Sequence, residues 1–362
     1  MKLALLTFHN AMNYGAILQS YALQTYLTDE FNCEVTIVNY TPAYFKKVFF
    51  NPMKPLTACG LKNKLKSMAK LVLRYRETKN ISLKEVKLKE FISKNLNTSQ
   101  IVYKPIEEES YDAYVVGSDQ VWNLELLQND LTYLLDFVTN TRKISYATSF
   151  KISDVDEFAL NAYKKFLPTF DFISVRERNL SDYLAQIGIT STSVLDPTLL
   201  IDSKFWMDQT DSCRLIRKRY LLLYYVNLPD RLVSEAFEYA NKNNLIVVSL
   251  NSLHNHKGYI DYSYASIEQF LNLSKYADAI FTTSFHGFVF SIIFQKKMYF
   301  EVPQNSYNNN ERLLDLANKL ELSNRNLSKG LIDDDIDWNS VEHLLKKYRE
   351  ISGNYLKDAL SV

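Results

Sequence analysis

The 362-residue chain is long enough for two domains, and 42 Lys and Arg against 41 Asp and Glu leave a formal charge of +1. That balance argues against a protein held to nucleic acid by a global basic field, and 47% hydrophobic residues argue against disorder. The three cysteines, Cys33, Cys59 and Cys213, are odd in number and lack metal-ligand spacing, so they read as free thiols in a reducing cytoplasm.

The first eight residues carry an apolar stretch too short for a signal peptide, and no window is long enough to span a bilayer. A cytoplasmic protein is expected, with peripheral contact at the inner face of the membrane left open. Residues 3–8 read as a buried strand, 17–27 as a helix and 35–38 as a strand, a βαβ opening. The loop between the first two elements holds Asn13 and Gly15 at the carboxyl end of the strand, where open α/β sheets bind ligands. These two residues either bring backbone N–H groups to a ligand or shape the turn. No GxGxxG pattern supports a dinucleotide site.

Residues 46–94 hold 14 Lys or Arg against Glu77, Glu85 and Glu90, with apolar residues interleaved and Lys62, Lys66 and Lys70 along one helical side. Such a segment fits an anionic membrane surface or a pyrophosphate-linked lipid, and equally an ordinary solvated face. Strands at 111–116 and 144–149 follow. The first runs into Gly117-Ser118-Asp119-Gln120-Val121-Trp122-Asn123. Residues 172–175 lead into Arg176 and Glu177 and a helix stopping near Gly188; Pro197 and 214–219 mark the domain boundary.

In the second half, strands are expected at 220–226, 245–250 and 298–302, with helices at 229–241 and 311–320. Ser266 and Gln269 form a capping box. Residues 279–282 form a strand that enters Thr283-Ser284-Phe285-His286-Gly287 and an apolar helix, so His286 sits at a strand-to-helix junction suited to an anion. The bland alternative is a histidine buried at a turn. A last helix starts from Asn339 as N-cap. The expected fold is α/β, with two Rossmann-like domains facing across a cleft: 1–200 (acceptor side), 201–335 (donor side), and a terminal helix, 336–362, free to pack back on the first domain.

Arg176 offers a planar fork for a carboxylate or phosphate, or a local ion pair with Glu177 or Asp171. Asp119 could accept a hydroxyl proton, or with Ser118 form a turn or cap. His254 and His256 lack a third metal ligand at a suitable spacing.

Asn13-Tyr14-Gly15-Ala16-Ile17-Leu18-Gln19, the Gly117 to Asn123 stretch, Ser174-Val175-Arg176-Glu177, Leu195-Asp196-Pro197-Thr198 and Ser284-Phe285-His286-Gly287 together resemble the polysaccharide pyruvyl transferase family. Asn310-Glu311-Arg312 continues the order. The resemblance implies a GT-B-like architecture and transfer of pyruvate from phosphoenolpyruvate onto two hydroxyls of a sugar as a cyclic ketal. It places that reaction in capsular, exopolysaccharide or other surface polysaccharide synthesis, with no cofactor; the basic segment at 46–94 is what motivates an acceptor carried on a lipid pyrophosphate. It implies His286 in the phosphate or proton-donor role, Arg176 as anion clamp and Asp119 as base, with Asn13, Gly15, Ser118, Gln120, Ser284 and Arg312 binding substrate. Some relatives carry Arg in the place of Ser284, which makes Arg312 the candidate to supply that cation; Lys151 stands where relatives often have Gly. The competing readings are a nucleotide-sugar-dependent GT-B glycosyltransferase and a non-catalytic polysaccharide-assembly protein.

Overall fold

The computed structural model describes residues 1–42, 64–104, 106–210, 212–226, 231–253, 256–302 and 311–361, with side chains in the long helix from residue 79 onward. The first sheet contains β1 (Lys2–Leu6), β2 (Glu34–Tyr40), β3 (Thr98–Val102), β4 (Ala113–Val116) and β5 (Arg142–Ser145), in the order β3-β2-β1-β4-β5. A two-stranded parallel pair, β6 (Ser174–Val175) and β7 (Thr192–Ser193), adjoins it through isolated bridges from Ile144 to Phe172 and Thr148 to Val175. The second sheet contains β8 (Tyr220–Tyr224), β9 (Ile246–Ser249), β10 (Tyr259–Asp261), β11 (Ala279–Thr282) and β12 (Lys297–Phe300) in the same spatial order, β10-β9-β8-β11-β12. Every pairing within the two sheets is parallel.

The central strands follow from their sequences. Ala113-Tyr114-Val115-Val116 and Ala279-Ile280-Phe281-Thr282 are buried at every position, as strands covered by helices on both faces must be. The edge strands β3 and β10 escape the sequence reading because they are exposed or half-buried along their length and carry no continuous apolar run.

The helices are α1 (Tyr14–Phe31), α2 (Lys64–Asn95), α3 (Glu157–Phe166), α4 (Arg178–Gln186), α5 (Pro197–Leu200), α6 (Ser203–Asp208), α7 (Leu232–Lys242), α8 (Ile267–Tyr276), α9 (Phe285–Ile293), α10 (Glu311–Lys319) and α11 (Trp338–Leu360). Helix α1 begins three residues before the expected start because the Asn13 side chain caps it, accepting from the Gly15 amide at 2.8 Å. The Ser266–Gln269 capping box is present on α8. The N-cap of α11 is Asp337, not Asn339: its carboxylate accepts from the amides of Asn339 and Ser340.

Three helices tie the halves together. Tyr14, Ile17, Leu18 and Ala22 of α1, with Leu88 and Phe91 of α2, share one apolar cluster with Phe270, Phe288 and Phe290 of the second half. Helix α11 starts against that cluster through Val341 and Leu345. It ends under the first sheet, where Tyr355 and Leu356 pack with Leu3, Leu5 and Ile144 and the Tyr355 hydroxyl donates to the Ser145 carbonyl. An interface this apolar favours a fixed arrangement of the two sheets over a loose hinge. No helix among the described residues is long and apolar enough to cross a membrane. Residues 46–63 of the basic segment, with Lys62, lie outside the described residues, as do the side chains of Lys66 and Lys70.

Candidate active site

In each sheet the spatial order reverses beside the first strand, between β1 and β4 and between β8 and β11. Open parallel sheets bind ligands beyond the carboxyl ends of the strands at such a switch point. Strand β4 runs out into Gly117-Ser118-Asp119, and β11 runs into Ser284-Phe285-His286. The fold brings these two ends into one buried cluster.

Gly117 has φ of +129°, and a Cβ there would fall 1.9 Å from the Tyr146 carbonyl oxygen, so only glycine permits this exit from β4. Gln19, fully buried on α1, holds the exit in place. Its amide donates to the Thr7 hydroxyl at 2.7 Å and its carbonyl accepts from the Ser118 amide at 3.0 Å. The Ser118 hydroxyl donates to the Ala147 carbonyl and lies 3.3 Å from Asp196 Oδ2.

Asp196 is the hub. Its Oδ1 caps α5, accepting from the Thr198 amide and hydroxyl, while Oδ2 faces Arg176 Nη1 at 2.9 Å and His286 Nε2 at 3.6 Å. Burial acts against its charge, but His286, Arg176 and Thr198 hold the carboxyl well below the usual carboxylate range. Arg176, 3% exposed, also reaches Asp119 at 3.4 Å and Glu177 at 3.6 Å. Against the cost of burial, these three carboxylates fix its charge. Asp171, the other expected partner, instead accepts from the Lys143 amide.

Arg312 of α10 approaches from the second half and contacts the same Asp119 oxygen at 3.1 Å. Both guanidinium groups lie over the Phe285 ring, at 4.7 and 5.6 Å from its centroid. Burial raises the proton affinity of Asp119, and Arg176 and Arg312 together outweigh it, leaving the carboxyl below its ordinary range. Glu177 is the exception: burial dominates and pushes its carboxyl up, although Arg176 and the Ser149 hydroxyl, donating at 2.8 Å, oppose the shift. Three buried polar atoms here have no hydrogen-bond partner among the described residues: Arg176 Nε, Glu177 Oε2 and His286 Nε2. Such groups carry a desolvation cost that an incoming ligand can relieve.

Gly15 has a steric role. A Cβ built on it would fall 1.9 Å from His286 Nδ1, so the missing side chain is the space that the imidazole occupies. Its amide is engaged by Asn13, so the turn-shaping alternative holds for both residues and neither offers that N–H to a ligand. Ser284 likewise caps α9, accepting from the Gly287 amide at 3.2 Å. The other amides of that first turn have no intrahelical acceptor. Gln120 is half-buried beside Asp119 and, among the described residues, makes none of these ion pairs. Lys151 pairs with Asp154. His256 stacks on Phe237, and His254 lies outside the described residues; among the described residues no group of three or more His, Cys, Asp or Glu is arranged to hold a metal.

Sequence reasoning gave Asp196, Glu177, Gln19 and Phe285 no site role. For Asp196 the signal was present but ambiguous: Asp-Pro-Thr reads completely as an N-cap and first turn, and that reading uses only one carboxylate oxygen.

A family model described as polysaccharide pyruvyl transferase matches residues 13–300. The chain belongs to the polysaccharide pyruvyl transferase family. The span holds every cluster residue except Arg312. Among curated proteins, none matches significantly. Among solved structures, a putative UDP-N-acetylglucosamine 2-epimerase from Listeria monocytogenes is similar at 10% identity, covering 100% of this chain and 91% of its own, with a TM-score of 0.50. UDP-GlcNAc 2-epimerase from Methanocaldococcus jannaschii is similar at 13% identity, covering 98% and 93%, with a TM-score of 0.45. An E. coli heptosyltransferase is similar at 9% identity, covering 84% and 88%, with a TM-score of 0.39. Likeness at such identities bears on the fold alone. This pyruvyl transferase family member thus has a GT-B-like α/β fold, two parallel sheets with helices on their faces.

Proposed function

We propose that the cleft transfers pyruvate from phosphoenolpyruvate onto two hydroxyls of a sugar, as a cyclic ketal, in the synthesis of a surface polysaccharide. The observation that carries this reading is the convergence of His286, Arg176 and Arg312 on one buried cluster at the switch points of both sheets. The donor presents a carboxylate and a phosphate, and two guanidinium forks stacked on one ring suit that pair of anions.

His286 delivers a proton to the donor's methylene carbon, which becomes the ketal's methyl group. One sugar hydroxyl adds to the adjacent carbon and loses its proton to Asp119; the carbon–oxygen bond to phosphate then breaks, the departing phosphate takes that proton from Asp119, and the second hydroxyl closes the ring by giving its own proton to the freed carboxylate. Asp119 is a weak base while both arginines hold it. The donor's anions compete for those arginines, and its proton affinity rises as they let go. Gln120 flanks the acceptor, with Asn13, Gly15, Ser118 and Ser284 shaping the walls. No oxidation state changes, so the scheme needs no nicotinamide or flavin. The reaction belongs in the cytoplasm, at the inner membrane face when the acceptor is lipid-linked.

Thermal unfolding of wild type and His286→Ala, with phosphoenolpyruvate and with nucleotide sugars, tests the reading. A ligand at about 100 times its dissociation constant adds roughly 2.7 kcal/mol to stability. Stabilisation of the wild type by phosphoenolpyruvate, weakened in the variant, is expected. Stabilisation by a nucleotide sugar instead would favour a glycosyltransferase. Arg312→Ala should raise the Michaelis constant for phosphoenolpyruvate roughly 10- to 100-fold, the size of one charge-assisted contact. An unchanged constant would remove Arg312 from the donor site.

A further inference from the structure

Helix α2 contributes a cation that the scheme above does not use. Its face at Asn80, Lys84, Lys87, Leu88 and Phe91 lies against the second half of the chain. Asn80 donates to the Ser263 hydroxyl at 3.0 Å, Lys87 reaches the Tyr264 carbonyl and Gln269 Oε1, and Leu88 and Phe91 enter the shared core. Lys84 sits in the middle of that face.

The Lys84 ammonium stands 4.0 Å from the centroid of the Tyr14 ring. Phe270 stacks nearly parallel on the same ring at 4.8 Å and 9°, so the two groups occupy opposite faces. The Tyr14 hydroxyl donates to the Ala265 carbonyl, which fixes the ring. Tyr14 immediately precedes Gly15, against which His286 packs. The ammonium is therefore held at the N-terminal end of α1, the same helix end against which His286 packs.

Among the described residues Lys84 has no ion-pair or hydrogen-bond partner. Burial lowers its proton affinity to about 8. The arginines differ in kind, since Asp119, Asp196 and Glu177 already surround them. A multiply charged anion meets guanidinium groups that carboxylates already surround and, in Lys84, an ammonium with no counter-charge among the described residues.

We propose that Lys84 pairs with a phosphoryl group of a substrate in this cleft. The identity of the phosphoryl compound rests on the pyruvyl-transfer reading: it is the phosphate of the donor or the pyrophosphate of a lipid-linked acceptor. Calorimetric titration with phosphoenolpyruvate and with farnesyl pyrophosphate, on wild type, Lys84→Met, Lys84→Gln, Lys84→Arg and the exposed control Lys89→Met, tests it. Met keeps the stem over Tyr14, Gln is a second neutral variant should Met fold poorly, and Arg keeps the charge.

The expected result is a dissociation constant raised about tenfold or more by Met or Gln, as for one lost charge-assisted contact, and largely restored by Arg. Lys89→Met should leave it unchanged. An effect on phosphoenolpyruvate alone assigns Lys84 to the donor phosphate, and one on farnesyl pyrophosphate alone to the acceptor. Wild type that binds phosphoenolpyruvate, with folded neutral variants that bind both probes as tightly, overturns the role of Lys84 and leaves the pyruvyl-transfer reading standing. Wild type that binds neither probe overturns both.

Discussion

Asp196→Ala should lower the stability of the protein by about 3–5 kcal/mol, the usual cost of removing one partner from a buried ion pair. The substitution strips the nearest counter-charge from Arg176, at 2.9 Å, and the facing carboxylate from His286, at 3.6 Å, and it removes the cap of α5. For domains of this size that corresponds to a melting midpoint roughly 6–20 °C lower. Asp196→Asn should fall between, because the amide oxygen can still accept from Thr198 but carries no charge. The native carboxyl lies below the unfolded carboxylate range, so its contribution is fully present above the unfolded value of about 3.9. It is lost only as pH falls through the lower native value. The gap between wild type and Asp196→Ala should therefore persist from neutral pH to about 4 and close in stronger acid. Calorimetric midpoints at several pH values check this; variants melting within about 2 °C of wild type at neutral pH would show that Asp196 is not the hub.

Gly15→Ala should reduce turnover by about 100-fold or more while the fold survives, as expected for an ångström-scale misplacement of a catalytic group. Glycine to alanine inside a helix ordinarily stabilises by roughly 0.5–1 kcal/mol. At this position the new Cβ would stand 1.9 Å from Nδ1 and 2.3 Å from Cγ of His286, so the imidazole has to leave its place beside Asp196. Gly353 of α11 is the control, because a Cβ there meets only the Tyr26 hydroxyl, at 3.1 Å, the far end of a side chain that can move. Gly353→Ala should be close to neutral in both stability and turnover. A Gly15→Ala protein with wild-type turnover would take His286 out of the chemistry or show that the ring works from another position.

The two substitutions act on the same imidazole from opposite sides. Asp196 faces its Nε2, and the empty space at Gly15 receives its Nδ1 edge. Their effects should not add, because once either support is lost the ring is displaced. The double variant should lose little more turnover than Gly15→Ala alone.

The sequence by itself determined the elements and their polar ends. Continuous apolar runs at 113–116, 220–224 and 279–282 specify strands buried on both faces, and strands of that kind alternating with helices specify parallel sheets. Capping chemistry was equally local: Ser266 with Gln269 closed α8 as written, while Asn13 capped α1 and Asp337 displaced Asn339 at α11. The motifs that carry the family resemblance were also in place, since Arg176, Asp196 and His286 stand in the chain whatever it folds into.

Tertiary structure alone decided which groups meet. Periodicity reports the buried side of an element but not the neighbour it is buried against; that depends on sheet order and on crossovers that return the chain from far away. So the second oxygen of Asp196, the fit of Gly15 against His286, the Gln19 latch on β4 and the Lys84 ammonium over Tyr14 had no local signature. The edge strands β3 and β10 were invisible for the complementary reason: half solvated, they need no apolar run, and their pairing with β2 and β9 is what makes them strands.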